Sequence, residues 1–271
     1  MVITVVAILV AVLLPVFRKV EGVSRSAVCA SNFHQVGLAS LMYTADYDDR
    51  FMPIGDLPER VRDTETAHSW VQILLPYTTK SFAIFHCPAD QTGPIDLSTF
   101  DQDLIPGDSD AEFYTASLHV NTGYNYQYLS PLLYQDGQWN SEPRATTDIR
   151  EPTRAILFVD SKWSLKKSDT MDGGSWLVVP PCRYELTPTG ARVDTFLAGT
   201  NAQKAFVLDA HWSGTDHFGA AWPWHMGRMT VAHVDGSVVS QSPADLEAGC
   251  TVDGKLAGRI ADSRLYNWNG Y

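Results

Sequence analysis

The chain opens on MVITVVAILVAVLLPVF, a run with no charged or amide side chain, and Arg18 and Lys19 end it. As a helix rising about 1.5 Å per residue, the run is about 25 Å long, just short of the roughly 30 Å of a bilayer core. Beyond it, Val20, Val23, Ala27, Ala30, Phe33, Leu38, Leu41 and Ala45 recur at helical steps and predict an amphipathic continuation with one apolar stripe. The two parts together predict a single helix of about 45 residues, about 65 to 70 Å long. Pro15 removes one backbone hydrogen bond and predicts a kink or local melting. The acids Asp46, Asp48 and Asp49 suit a helix C-terminus poorly, so they are expected in the following turn. No single domain needs so long a rod. Its upper half, with Val2, Ile3, Val6, Ile8, Leu9, Leu13, Pro15 and Phe17, has only lipid or the same half of other copies to pack against.

The pattern divides the chain into residues 1–48, the rod, and 49–271, one α+β head carrying an insert from about 163 to 222. Ser69 predicts a cap for the short helix WVQILLPY, stopped by Pro76. Strands are expected at Phe82–Phe85, at Gly123–Leu129 with Tyr124, Tyr126 and Tyr128 on one face, and at Arg154–Asp160. MTVAHV and SVVSQ flank Asp235-Gly236, which predicts a hairpin with a type I′ turn. Ser242 and Pro243 predict the start of a short helix ending by Gly249. The insert is too long to lack structure and should add strands that extend or shield the sheet. The tail, with Tyr266, Trp268 and Tyr271, is a contact between subunits if exposed and a final strand if folded back.

At 271 residues, 45% of them hydrophobic, the chain can bury a sizeable core. Its net charge of -11 argues against binding nucleic acid, which relies on Lys and Arg to neutralise phosphate. The same charge makes copies repel, so any cohesion between copies would have to come from the apolar helices. Cys29, Cys87, Cys182 and Cys250 follow an apolar N-terminus that puts the rest of the chain outside the cytoplasm, where disulfides are expected. Three pairings are open, and no C-x-x-C spacing suggests a zinc knuckle or a redox motif.

The opening run resembles the hydrophobic helix of type IV pilins and type II secretion pseudopilins, including its proline. CASNFHQVGLASLMYTADYDDRFMP, SWVQILLPY, FHCPAD, TGYNYQYL, EPTRAILFVDS, and His225 followed after nine residues by Asp235-Gly236, resemble in order the bacterial group with a prepilin-type N-terminal cleavage/methylation segment and an H-X9-DG motif. Members of that group carry a basic leader, a cleavage site and a glutamate ahead of the point where Met1 aligns, so the chain is expected to begin downstream of them. The resemblance implies a pilin-like fold, a long helix packed against an antiparallel sheet, and a structural role in a pilus or pseudopilus filament. It implies polymerisation with copies of itself, passage through the inner membrane to the cell surface, and dependence on an assembly ATPase machine and a prepilin peptidase. It also implies a Cys29–Cys87 bridge tying rod to head, which leaves Cys182–Cys250 to staple the insert.

Catalytic chemistry is not signalled. The late histidines His211, His217, His225 and His233, near Asp209, Asp216 and Asp235, accompany no H-E-x-x-H, G-x-S-x-G or Walker motif, so no enzyme and no metal ligand set is assigned. The Asp-Gly pair reads as turn chemistry, with His225 bonding back to the hairpin. Asp101, Asp103, Asp108 and Asp110 are weak Ca²⁺ candidates, lacking the glycine and closing glutamate of an EF-hand. No other cofactor is expected. Eight tryptophans and eleven tyrosines leave a second reading, a membrane-anchored surface module that binds a carbohydrate or metal ligand without polymerising.

Overall fold

The computed structural model describes residues 2–56, 68–78, 81–90, 114, 116–163, 173–207, 218–251 and 258–270. Its first element, α1 (Val2–Asp46), is one helix of 45 residues that continues through Pro15. Environment divides it in two. Ile3 is 86% exposed and Phe17 65%, whereas Phe33 is 2% and Val36 0% exposed. The buried stripe also differs from the apolar pattern: Cys29, Phe33, Val36, Ser40 and Tyr43 face the head, and Leu38 faces outward. Two polar residues of that face are satisfied locally, Thr44 Oγ1 donating to the Leu41 carbonyl at 2.9 Å and Ser40 Oγ to Met52 Sδ at 3.6 Å. Among the described residues no helix is long and apolar enough to cross a membrane. The helix gives way to a turn at its acidic end, where Asp48 and Asp49 take φ of 51° and 57° as expected, but Asp46, expected in the turn, is the last residue of the helix.

After this turn, β1 (Gly55–Asp56) pairs with β2 (His68–Ser69), and α2 (Trp70–Leu74) follows. Ser69 caps α2 as expected: its hydroxyl accepts from the Gln72 N–H while Gln72 Oε1 accepts from the Ser69 N–H at 2.9 Å. Phe82–Phe85, expected as a strand, is a 3-10 turn. Its Ile84 and Phe85 are both buried, and the His86 N–H closes the turn by donating to the Ala83 carbonyl at 3.2 Å.

The expected tyrosine strand is likewise shorter. β3 (Thr122–Tyr124) gives way to a helical turn at Tyr126–Leu129. The three phenols diverge: Tyr124 donates to the Met52 carbonyl at 3.2 Å, Tyr126 to Phe206 at 3.3 Å and Tyr128 to Cys182 at 3.3 Å.

The rest of the head is β4 (Leu132–Gln135), β5 (Gln138–Ser141), β6 (Ile156–Asp160), β7 (Cys182–Leu186), β8 (Arg192–Asp194), β9 (Lys204–Ala205), β10 (Met229–His233), β11 (Val238–Gln241), β12 (Cys250–Thr251) and β13 (Gly258–Ile260). The sheet beside α1 is antiparallel in the order β11-β10-β6-β3, and every residue of β6 is buried. The insert supplies β7, β8 and β9. The first two join β13 and β12 in a second sheet with one parallel pair, and β9 adds to the β4–β5 hairpin.

The protein is thus α+β, with a long N-terminal helix and largely antiparallel sheets. One core lies between α1 and the first sheet, where Trp70 stacks on Phe158 at 5.0 Å and donates from Nε1 to the Trp176 carbonyl. A second core gathers Tyr128, Phe196, Tyr266 and Trp268.

Two further expectations are corrected. The hairpin forms, but only Gly236 takes a positive φ (84°) at its tip, so the turn is not type I′. The Gly236 N–H donates to the His233 carbonyl at 2.9 Å, a tight turn followed by a left-handed glycine, and Asp235 Oδ1 accepts from the Ser237 N–H and hydroxyl. The tail folds back without forming a strand. Tyr266 and Trp268 are buried, donating to the Cys182 and Leu246 carbonyls at 2.8 Å.

Candidate functional site

Two features stand apart from ordinary packing. The first is the unpartnered half of α1. Ile3, Val6, Leu9, Leu13 and Phe17 are exposed, together with Val10, Val12, Leu14 and Val16, so the apolar surface surrounds the helix. Their positions in α1 also hold Val2, Ile8 and Pro15 on the same bare segment, the side chains of Val2 and Ile8 lying outside the described residues. Such an all-round apolar helix is stable only in lipid or among other apolar surfaces.

The second is a buried polar cluster where four distant segments meet. Cys29 comes from the buried face of α1, and Cys87 follows the Phe82–Phe85 turn. Asp160 ends β6, and His225 precedes β10. Cys29 Sγ donates to Asp160 Oδ1 at 3.3 Å, and Cys87 Sγ lies 3.4 Å from His225 Nε2. His225 Nε2 is also 3.4 Å from Asp160 Oδ2. All four potential ligand atoms fall within 4.8 Å of one another.

Backbone groups fix the cluster. Asp160 Oδ2 accepts the Thr230 N–H at 2.5 Å, and the Cys87 N–H donates to Asn121 Oδ1 at 3.0 Å. The backbone of His225 exchanges hydrogen bonds with Arg228, both at 3.0 Å.

Burial raises the Asp160 carboxyl to about 7, and negative charge on Cys87 pushes the same way. Burial opposes a charged His225 ring, but Cys87 and Asp160 outweigh it and hold the imidazole above its ordinary value. The neighbouring Cys29 sulfur and the His225 ring push the Cys87 thiol down against its burial, while the Cys87 sulfur, burial and Asp160 push the Cys29 thiol up. Cys87 and Asp160 both meet His225 at Nε2. A nucleophile–base–carboxylate relay needs its carboxylate on the opposite ring nitrogen, so the geometry does not match a cysteine hydrolase.

The structure therefore treats the four cysteines differently from one another. Cys182 and Cys250 form the expected disulfide, with a Cα–Cα separation of 5.8 Å. The Cys29–Cys87 bridge implied by the resemblance is not formed: both are free, buried thiols, each drawn to a different polar partner. His225 faces this cluster and not the Asp235-Gly236 turn. His34 of α1 is the histidine that meets that turn, with Nδ1 3.2 Å from the Gly236 carbonyl. The candidate Ca²⁺ aspartates Asp101, Asp103, Asp108 and Asp110, and His211, His217, Asp209 and Asp216, lie outside the described residues.

No family model, curated protein or solved structure matches this chain. Asp160 was missed by sequence reasoning, because as the last residue of an apolar strand it looks like a strand end. Its one signal was a carboxylate closing the otherwise apolar run RAILFVD.

Proposed function

We propose that this protein is a non-enzymatic subunit of a type IV pilus-like or pseudopilus filament, held in the membrane by the start of α1 before assembly and polymerising through the same segment afterwards. The observation that carries this reading is the contrast along one continuous helix: Phe33 and Val36 are buried by the chain's own head, while every described side chain from Ile3 to Phe17 is exposed. Burying apolar surface yields about 25 cal/mol per Å², so bundling these halves offers a large driving force once they leave lipid. With the head on one side and the bare segment at one end, contacts between copies are heterologous and extend into an open helix. The resemblance adds the wider setting: processing by a prepilin peptidase, extraction from the inner membrane by an assembly ATPase machine, and display at the cell surface.

The test is to purify the full chain in detergent, dilute the detergent and examine the product by negative-stain microscopy. Fibres that disappear in Leu13→Asp, with the head still folded by circular dichroism, support the filament. Dispersed single subunits or lipid-bound monomers from the unmodified chain under all assembly conditions would reject it in favour of an anchored binding module.

A further inference from the structure

We infer that Cys29, Cys87, Asp160 and His225 form a structural site for a thiophilic divalent cation, of which Zn²⁺ is the best fit. The inference goes beyond the filament reading and holds whether or not the chain polymerises.

Three observations carry it. The donor set is two sulfurs, one imidazole nitrogen and one carboxylate oxygen, a combination that suits zinc far better than calcium or magnesium. The spacing fits as well. Tetrahedral zinc, with bonds of about 2.3 Å to sulfur and about 2.0 to 2.2 Å to nitrogen or oxygen, sets edges between ligand atoms of roughly 3.3 to 3.8 Å. The observed distances are 3.3 Å from Cys29 Sγ to Asp160 Oδ1, 3.4 Å from Cys87 Sγ to His225 Nε2 and 3.4 Å from His225 Nε2 to Asp160 Oδ2, so the two carboxylate oxygens face different donors, and one ligand atom from each of the four residues falls within 4.8 Å of the others. Finally, Cys87 and Asp160 converge on a single ring nitrogen, as first ligands around one centre do.

Desolvation points the same way. The side chains of His225 and Asp160 are 3% and 0% exposed, and among the described residues no lysine or arginine is paired with the carboxylate. The His225 ring is the cationic partner of this carboxylate in the cluster, and a divalent ion would compensate the carboxylate and the two sulfurs together. Two thiolates and one carboxylate carry three negative charges, which a divalent ion reduces to one. Binding releases to solvent the Cys29 thiol proton, the proton shared by Cys87 and His225 and any proton on the Asp160 carboxyl, and involves no redox change. Thr230 already holds Asp160 Oδ2, as outer partners orient metal ligands elsewhere. The site would clamp α1 to β6, to the Phe82–Phe85 turn and to the segment before β10, joining ligands across a sequence separation of 196 from Cys29 to His225.

The test is elemental analysis of the full-length chain purified without chelator, followed by replacement with Co²⁺. The expected result is about one zinc per chain and, after exchange, the thiolate charge-transfer and intense visible bands of tetrahedral cobalt. Metal should fall to background in Cys87→Ser and in His225→Ala, while Cys182→Ser keeps it. Should the ligand variants fail to fold, the cobalt spectrum of the unmodified chain decides alone. A reduced, folded chain that takes up no Zn²⁺ or Co²⁺, or a native chain whose peptide map links Cys29 to Cys87, would overturn the site.

Discussion

Cys29 Sγ lies 3.3 Å from Asp160 Oδ1, joining the middle of the long helix to the end of the central strand across 131 residues. This contact marks the boundary at which α1 stops being a bare apolar rod and becomes part of the head. Above it the described side chains are exposed or at most half-buried, and below it Phe33, Val36 and Tyr43 enter the main core.

The cluster around that contact acts as a unit, so its energetics should be non-additive. Cys29→Ala and His225→Ala combined should destabilise the head by clearly less than the sum of the single effects, with a coupling of about 1 kcal/mol or more. Urea denaturation of the two single variants and the double variant measures it. Simple additivity would mean that the residues are neighbours without a shared interaction.

The two halves of α1 should respond differently to the same truncation. Phe33→Ala empties a fully packed position and should cost about 3 to 5 kcal/mol. Phe17→Ala removes an exposed ring and should change head stability by less than about 0.5 kcal/mol while weakening association. Thermal denaturation reads the first effect, and the critical concentration for assembly reads the second.

Cys182–Cys250 closes a separation of 68 residues between β7 and β12. Replacing both by serine should cost about 4 kcal/mol if the native geometry is unstrained. The loss should appear in the second core, as faster hydrogen exchange at Tyr266 and Trp268, and mapping under non-reducing conditions should recover this pair linked.

At the hairpin tip, Gly236 holds a φ of 84°, and an added Cβ would stand 3.1 Å from Leu41 Cδ1. Gly236→Ala should therefore destabilise by about 1 to 2 kcal/mol, and Gly236→Asn by less, since asparagine tolerates left-handed backbone. Chemical denaturation of the two variants separates backbone strain from contact with α1.

Much of the architecture was legible locally. The long helix, the Ser69 and Ser242 caps, the buried strand ending in Asp160 and the hairpin around Asp235-Gly236 all follow from nearest-neighbour chemistry. Each depends on residues within one turn or one strand, where periodicity and capping are written directly in the order of side chains. The errors have one origin. Phe82–Phe85 and Tyr126–Leu129 alternate or cluster like strands, yet their side chains serve several buried surfaces at once, and that demand bends the backbone into turns.

The sequence alone determined that the chain begins with an apolar rod and continues as an α+β head, because hydrophobic spacing dictates local structure whatever surrounds it. Only the tertiary structure decided which face of α1 is buried, which cysteines bond, and that Asp160 and His225 meet Cys29 and Cys87. Those outcomes depend on how segments far apart along the chain converge in space, where the shape of the shared core, and not local spacing, selects the neighbours.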